Sequence, residues 1–193
     1  MMLCAVSMAE DILKVVLNKE FEFDMTRVKH LCADRQGETF GPTTPTTVVL
    51  YQELERHNAL KDKLERTLRE LIKALTGEIG MSPDLEAMTD ALSRGRLPDA
   101  WKSAAPPTEK DLQSWMTWYK KREKQFKDWV ETGEPKVIWL SGLHCPETYI
   151  AALIQRACRK MGWPLDASAA YTEVTDFVDA DEIQSHPEIG CYI

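Results

Sequence analysis

The 193-residue sequence has no apolar run approaching the roughly 18 to 20 residues needed to cross a bilayer. Residues 1–6 are too short and lack the basic flank of a secretory signal, so a soluble, intracellular protein is expected. Basic residues are outnumbered, 24 against 31 acids, for a formal net charge of -7 and a pI near 5.2. That balance excludes a binder that draws its affinity from clustered Lys and Arg on phosphates, and favours a protein partner. The five cysteines, Cys4, Cys32, Cys145, Cys158 and Cys191, are odd in number and include no C-x-x-C pair. They fit free thiols acting as small hydrophobes rather than a disulfide framework or a zinc site.

What is present is a real core, with 44% hydrophobic residues, and one stretch on which the rest is organised. Pro135-Lys136-Val137-Ile138-Trp139-Leu140-Ser141-Gly142-Leu143 has the β-branched and aromatic content of a buried strand. After a turn, Pro146 and Glu147 suit a helix start, and Ile150, Leu153, Ile154, Ala157 and Met161 recur at helical spacing. Strand, turn and helix in this order can carry a phosphate or a nucleophile. Gly142 is the only glycine in the turn and no Lys-Ser or Lys-Thr pair follows, so there is no phosphate loop. Ser141 lacks the first glycine of a nucleophile elbow and has no Asp and His placed to serve it. His144, Cys145 and Glu147 crowd one helix start without a second cluster, which is not metal-ligand spacing. No catalytic residue, cofactor-binding residue or metal ligand is therefore expected, and the small-enzyme reading is the weakest of those considered.

In sequence order, residues 2–18 carry an apolar helical stripe, and residues 21–40 read as a short helix and connector. Gly41-Pro42-Thr43-Thr44-Pro45-Thr46-Thr47 reads as a linker and domain boundary. The longest helix follows, with Leu50, Leu54, His57, Leu64, Leu68, Leu71 and Leu75 on one face, charges such as Glu53 between them, and Gly77 as its stop. His57 on that stripe is an ordinary buried histidine with a hydrogen-bonding partner. Ser82-Pro83-Asp84 opens another helix, and Trp101 is expected to anchor its loop in the core. Thr108 to Asp111 resembles a capping box, ahead of a stripe of Leu112, Trp115, Met116, Tyr119, Phe126, Trp129 and Val130. Lys120, Lys121, Arg122, Lys124 and Lys127 are assigned to its solvated side, not to nucleic-acid stacking. Residues 170–178 alternate as a strand would, and Gly190-Cys191-Tyr192-Ile193 reads as the opening of another. The sequence stops in mid-strand on that reading, so a fragment of something longer, or a covered edge, is expected.

Several of these stretches, taken in order, resemble one family. Leu71-Ile72-Lys73-Ala74-Leu75-Thr76-Gly77, Met81-Ser82, Leu97-Pro98-Asp99-Ala100-Trp101, Trp129-Val130-Glu131-Thr132-Gly133, the Pro135 to Gly142 stretch and Gly162-Trp163-Pro164-Leu165-Asp166 resemble the C-terminal domain of dynein heavy chains. The resemblance covers about residues 46–193, and residues 1–40 look more loosely like the end of the last AAA+ module of the motor ring. Within the family the tail looks axonemal, and of the inner-arm type.

The resemblance implies an α+β, mainly α-helical fold, with a few short strands towards the C-terminus and truncation before a β-barrel. Its domains would be 1–40 as the helical end of the ring module, 41–47 as linker and 48–193 as the helical part of the C-terminal domain. It further implies a non-catalytic part of an ATP-driven, minus-end-directed microtubule motor that packs on the AAA+ ring and modulates it. ATP and magnesium would belong to upstream ring modules, and the partners would be that ring and, through the parent complex, intermediate and light chains and microtubules. No nucleic acid or membrane partner is implied, and the location is the cytoskeleton of the cilium or flagellum. The alternative is a free-standing helical interaction protein of the axoneme with the same fold.

Overall fold

The computed structural model describes residues 2–18, 23–36 and 43–193. Seven helices lie among them: α1 (Met2–Val16), α2 (Met25–Gln36), α3 (Pro45–Leu75), α4 (Pro83–Ser93), α5 (Asp99–Lys102), α6 (Leu112–Thr132) and α7 (Pro146–Met161). The protein divides into two compact units, one of Met1–Phe23 with Glu55–Glu123, the other of Asp24–Leu54 with Lys124–Ile193. The divisions fall inside α3 and α6.

The first unit is built on the leucine row of α3. Leu60, Leu64, Leu68, Leu71 and Leu75 recur every three or four residues, which places them on one face. That face is buried with Ala9, Ile12 and Val16 of α1, Leu85, Met88 and Leu92 of α4, and Leu112, Trp115 and Tyr119 of α6. α4 starts as its sequence indicates: Ser82 Oγ accepts from the Leu85 N–H at 3.3 Å, with Pro83 in the first turn. Trp101 anchors its loop, fully buried, and its Nε1–H donates to Thr67 Oγ1 at 3.0 Å. The start of α6 falls three residues later than the Thr108 pattern indicates. Asp111 supplies the cap, its carboxylate accepting from the Ser114 N–H at 2.7 Å.

In the second unit, Val49, Leu50 and Leu54 of α3, Phe126, Trp129 and Val130 of α6, and Tyr149, Ala152 and Cys158 of α7 are buried. Trp129 and Tyr149 meet edge to face at 5.7 Å. α7 begins at Pro146 as expected, and Gly162 closes it in the left-handed region at φ 70, where a side chain would be strained. α3 takes in Pro45, Thr46 and Thr47 of the expected linker, while Gly41 and Pro42 lie outside the described residues.

The mainly helical class holds, but the strands reduce to very little. In the 135–143 stretch a single parallel bridge joins Val137 to Tyr192, with the Ile138 N–H donating to Tyr192 O at 2.9 Å. Trp139 is paired not with a strand but with a side chain: its N–H donates to Gln125 Oε1 at 2.8 Å and its carbonyl accepts from Gln125 Nε2 at 3.3 Å. Leu140–Gly142 then tightens into a single 3₁₀ turn. Residues 170–178 form no strand among the described residues; Tyr171 is 82% and Val174 100% exposed. Alternation marks a strand only where a neighbouring strand takes up its backbone groups, and none does so here.

Candidate functional site

The residues weighed for chemistry sit at the start of α7, where a carboxylate from α3 occupies the helix end. Glu53 is fully buried; its two oxygens accept from the backbone N–H of His144 at 2.6 Å and of Cys145 at 3.1 Å. These are the N–H groups of the N-cap residue and of the residue before it, so the carboxylate fastens the turn leading into α7 and complements the positive end of the helix dipole. Ser141 lies exposed in the 3₁₀ turn, His144 and Cys145 are half-buried just ahead of α7, and Glu147 is exposed in its first turn. No group of three or more His, Cys, Asp or Glu among the described residues could hold a metal ion.

A second polar cluster is centred on Glu134, in the α6–α7 connection. Its Oε1 accepts from the Tyr149 hydroxyl at 2.7 Å, and its Oε2 accepts from Thr46 Oγ1 at 2.9 Å and Arg156 Nη1 at 2.5 Å. Arg156 also donates through Nη2 to the Gly190 carbonyl at 3.3 Å. Glu134 thus ties the first turn of α3 to α7, and Arg156 ties α7 to the segment before Tyr192. Burial and the adjacent Glu134 push the Tyr149 hydroxyl far above its ordinary value, and the Cys191 thiol is raised for the same two reasons. Neither group is poised to act as a nucleophile near neutral pH.

The first unit holds ionisable groups in its interior. His57 is fully buried, stacked on Tyr119 at 5.2 Å with Phe23 edge-on at 5.6 Å, and its Nε2 lies 3.5 Å from Glu123 Oε1. Burial, with Arg122 and Lys61 adding to it, lowers the imidazole to about 3. Burial raises the Glu123 carboxyl to about 7, against the opposing pull of Tyr119, Lys61, Lys120 and Arg122. Arg122 is also fully buried, its guanidinium 5.4 Å from the Trp118 ring centre, so it does not belong to the solvated side of α6.

Glu53, Arg122 and Glu123 were legible by position though not by residue type. Glu53 is three residues past Leu50 and four before His57, on the apolar stripe of α3. Arg122 is three residues past Tyr119 and four before Phe126, and Glu123 is four past Tyr119. Helical register places all three inside, and charge alone argued for the surface. Of the cysteines with described side chains, Cys32 and Cys158 are buried and Cys145 and Cys191 half-buried, all four as free thiols.

Comparison with known proteins adds a direct match. The family model of the C-terminal domain of dynein heavy chains matches residues 5–193. The sequence is 54% identical over 153 residues to the dynein-1-alpha heavy chain of the flagellar inner arm I1 complex of Chlamydomonas reinhardtii, covering 79% of this protein and 3% of that one. It is 46% identical over 175 residues to dynein axonemal heavy chain 10 of Homo sapiens, 91% of this protein and 4% of the relative. With the flagellar outer-arm dynein beta chain of Chlamydomonas reinhardtii it shares 33% identity over 191 residues, 96% of this protein and 4% of the relative. It thus spans only 3–4% of the length of these curated relatives, all of them axonemal or flagellar heavy chains.

Proposed function

Because the protein belongs to the family defined by the C-terminal domain of dynein heavy chains, we propose that it serves as a non-catalytic part of a ciliary or flagellar dynein motor, packing on the AAA+ ring of its heavy chain and modulating it. The observation that carries this reading is the family match along nearly the whole sequence, with axonemal heavy chains as the relatives. The inner-arm relative, at 54% identity, supports an inner-arm placement. ATP and magnesium act in upstream ring modules on this reading, and microtubules and the other dynein subunits are reached through the parent complex. The arrangement of charged side chains supports a structural role, since Glu53 and Glu134 join α3 to α7 and Arg156 joins α7 to the segment before Tyr192.

Two measurements test it. An antibody against residues 109–132, used on axonemal extract, should mark a band of heavy-chain size that is extracted with other motor subunits. In that motor, Ser141→Ala and His144→Ala should leave basal ATP hydrolysis unchanged while ring docking persists. Loss of hydrolysis in either variant would place this part in the chemistry and defeat the non-catalytic reading. A second reading, a separate interaction protein of the axoneme, is favoured by the exposure of Tyr171, Val174 and Val178. A band near 22.0 kDa bound to a non-dynein partner would select it.

A further inference from the structure

We propose that His57 and Glu123 hold a single proton between them inside the first unit, and that its departure disturbs the ring stack built on His57, making the pair a proton-sensitive device in the fold. The two side chains face each other from α3 and α6 with Nε2 and Oε1 3.5 Å apart, their side chains 0% and 1% exposed. At that burial an isolated charge on either one is costly, and the favoured arrangements contain one proton for the pair: imidazolium with carboxylate, or imidazole with carboxylic acid.

The surrounding charges choose between them. On α3, Lys61 stands one turn beyond His57; on α6, Arg122 adjoins Glu123, with Lys120 a turn before it and the neutral Tyr119 hydroxyl beside it. Phe23 meets the imidazole edge to face. Two neighbouring cations oppose a third positive charge on His57 and also favour the Glu123 carboxylate, but burial, the larger effect on each group, opposes charge on both members. The proton therefore rests on Glu123, with a neutral imidazole facing it. Burial moves both groups in that direction, the imidazole down to about 3 and the carboxyl up to about 7.

When the surroundings pass through neutrality, Glu123 releases its proton to solvent and becomes an anion 3.5 Å from the imidazole nitrogen. In that release only the carboxyl O–H bond breaks. The Nε2 that accepted from the carboxyl then faces an anion, so the imidazole must turn aside or move its own hydrogen from Nδ1 to Nε2, while Lys61 and Arg122 attract the new charge. His57 is packed on Tyr119 and Phe23, and the stack must adjust with it.

The test is a carbon and nitrogen NMR titration of the uniformly labelled 193-residue protein from about pH 5 to about pH 9, the range that brackets ordinary carboxyl and imidazole titration, with assignments made through bonds. The Glu123 carboxyl carbon should titrate with a midpoint near 7, the His57 ring nitrogens should keep neutral shifts throughout, and the Tyr119 ring signals should move at the Glu123 midpoint. Glu123→Gln should erase the Tyr119 step while the helical circular dichroism stays unchanged. If that variant does not fold, the unmodified protein decides alone. Titration of Glu123 among ordinary carboxylates below about 5 would overturn the proposal. So would an imidazolium at His57 above about pH 6, or a Tyr119 step that stays still as Glu123 titrates or persists in the variant.

Discussion

Two single residues set tight conditions on the second unit. Gly142 sits under the Trp139 ring: a Cβ built there would lie 2.4 Å from one ring carbon and 2.7 Å from the next. Either the indole or the turn must shift to admit it, so Gly142→Ala should cost about 1 to 3 kcal/mol by overpacking, read as a lower urea midpoint at unchanged slope. An unchanged midpoint would show that Trp139 swings out at no cost. Glu53→Ala should cost about 1 to 3 kcal/mol or more, because it strands two N–H donors at the start of α7, while Glu53→Gln, which keeps one acceptor, should cost less. The sequence concealed both effects for different reasons. A glycine beside serine reads as a turn whatever covers it, and a glutamate among lysines and arginines reads as surface.

The buried pair of the first unit carries a pH signature with a definite sign. His57, lowered from 6.5 to about 3, contributes stability that is present above its unfolded value and lost as pH falls from 6.5 towards 3. Glu123, raised from 4.5 to about 7, contributes stability that is present below 4.5 and lost as pH rises from there to 7. Between 4.5 and 6.5 the two slopes oppose each other, and their joint contribution is nearly flat. His57→Gln removes one of them, so stability measured by urea unfolding should decline with rising pH across that window. A flat profile in the variant would mean that Glu123 titrates normally.

At the scale of elements, the helices were the legible part. Two of them are opened or closed by residues whose effect is local: Pro83 after Ser82, Pro146 at the head of α7, Gly162 at its end. The expected strands failed because a strand is a relation between segments, and the residues that take up the 135–143 backbone, Gln125 and Tyr192, lie 14 positions before Trp139 and far along the sequence. The same distance hid the Glu134 cluster, which gathers Thr46, Tyr149 and Arg156 from across the second unit. Removing Arg156 as a donor, in Arg156→Met, should loosen the Gly190 carbonyl and with it the bridge at Tyr192. Amide exchange at Ile138, which donates to Tyr192, should then accelerate severalfold while α7 amides keep their protection. Equal acceleration through α7 would show instead that the arginine supports the whole helix.

For the whole molecule, charge and exposure coincide at one end. Residues 161–193 contain seven Asp or Glu and no Lys or Arg, so the formal charge of -7 resides there and the first 160 residues are balanced. Within that stretch Tyr171, Val174 and Val178 are 82–100% exposed, and the backbone of 170–177 enters no hydrogen bond among the described residues. Self-repulsion and unpaired backbone both favour local opening, at far less free energy than opening α3 or α6. Chymotrypsin at low concentration should therefore cut first after Tyr171 or Phe177, even though Trp101, Trp115 and Tyr119 offer three more aromatic sites, because those rings are buried in helical packing. The early product should keep its helical circular dichroism, since 168–182 contributes only one short turn. A first cut within α6 would mean that the aromatic stack opens more readily than its burial implies, and would place the weakest part of the fold in the first unit.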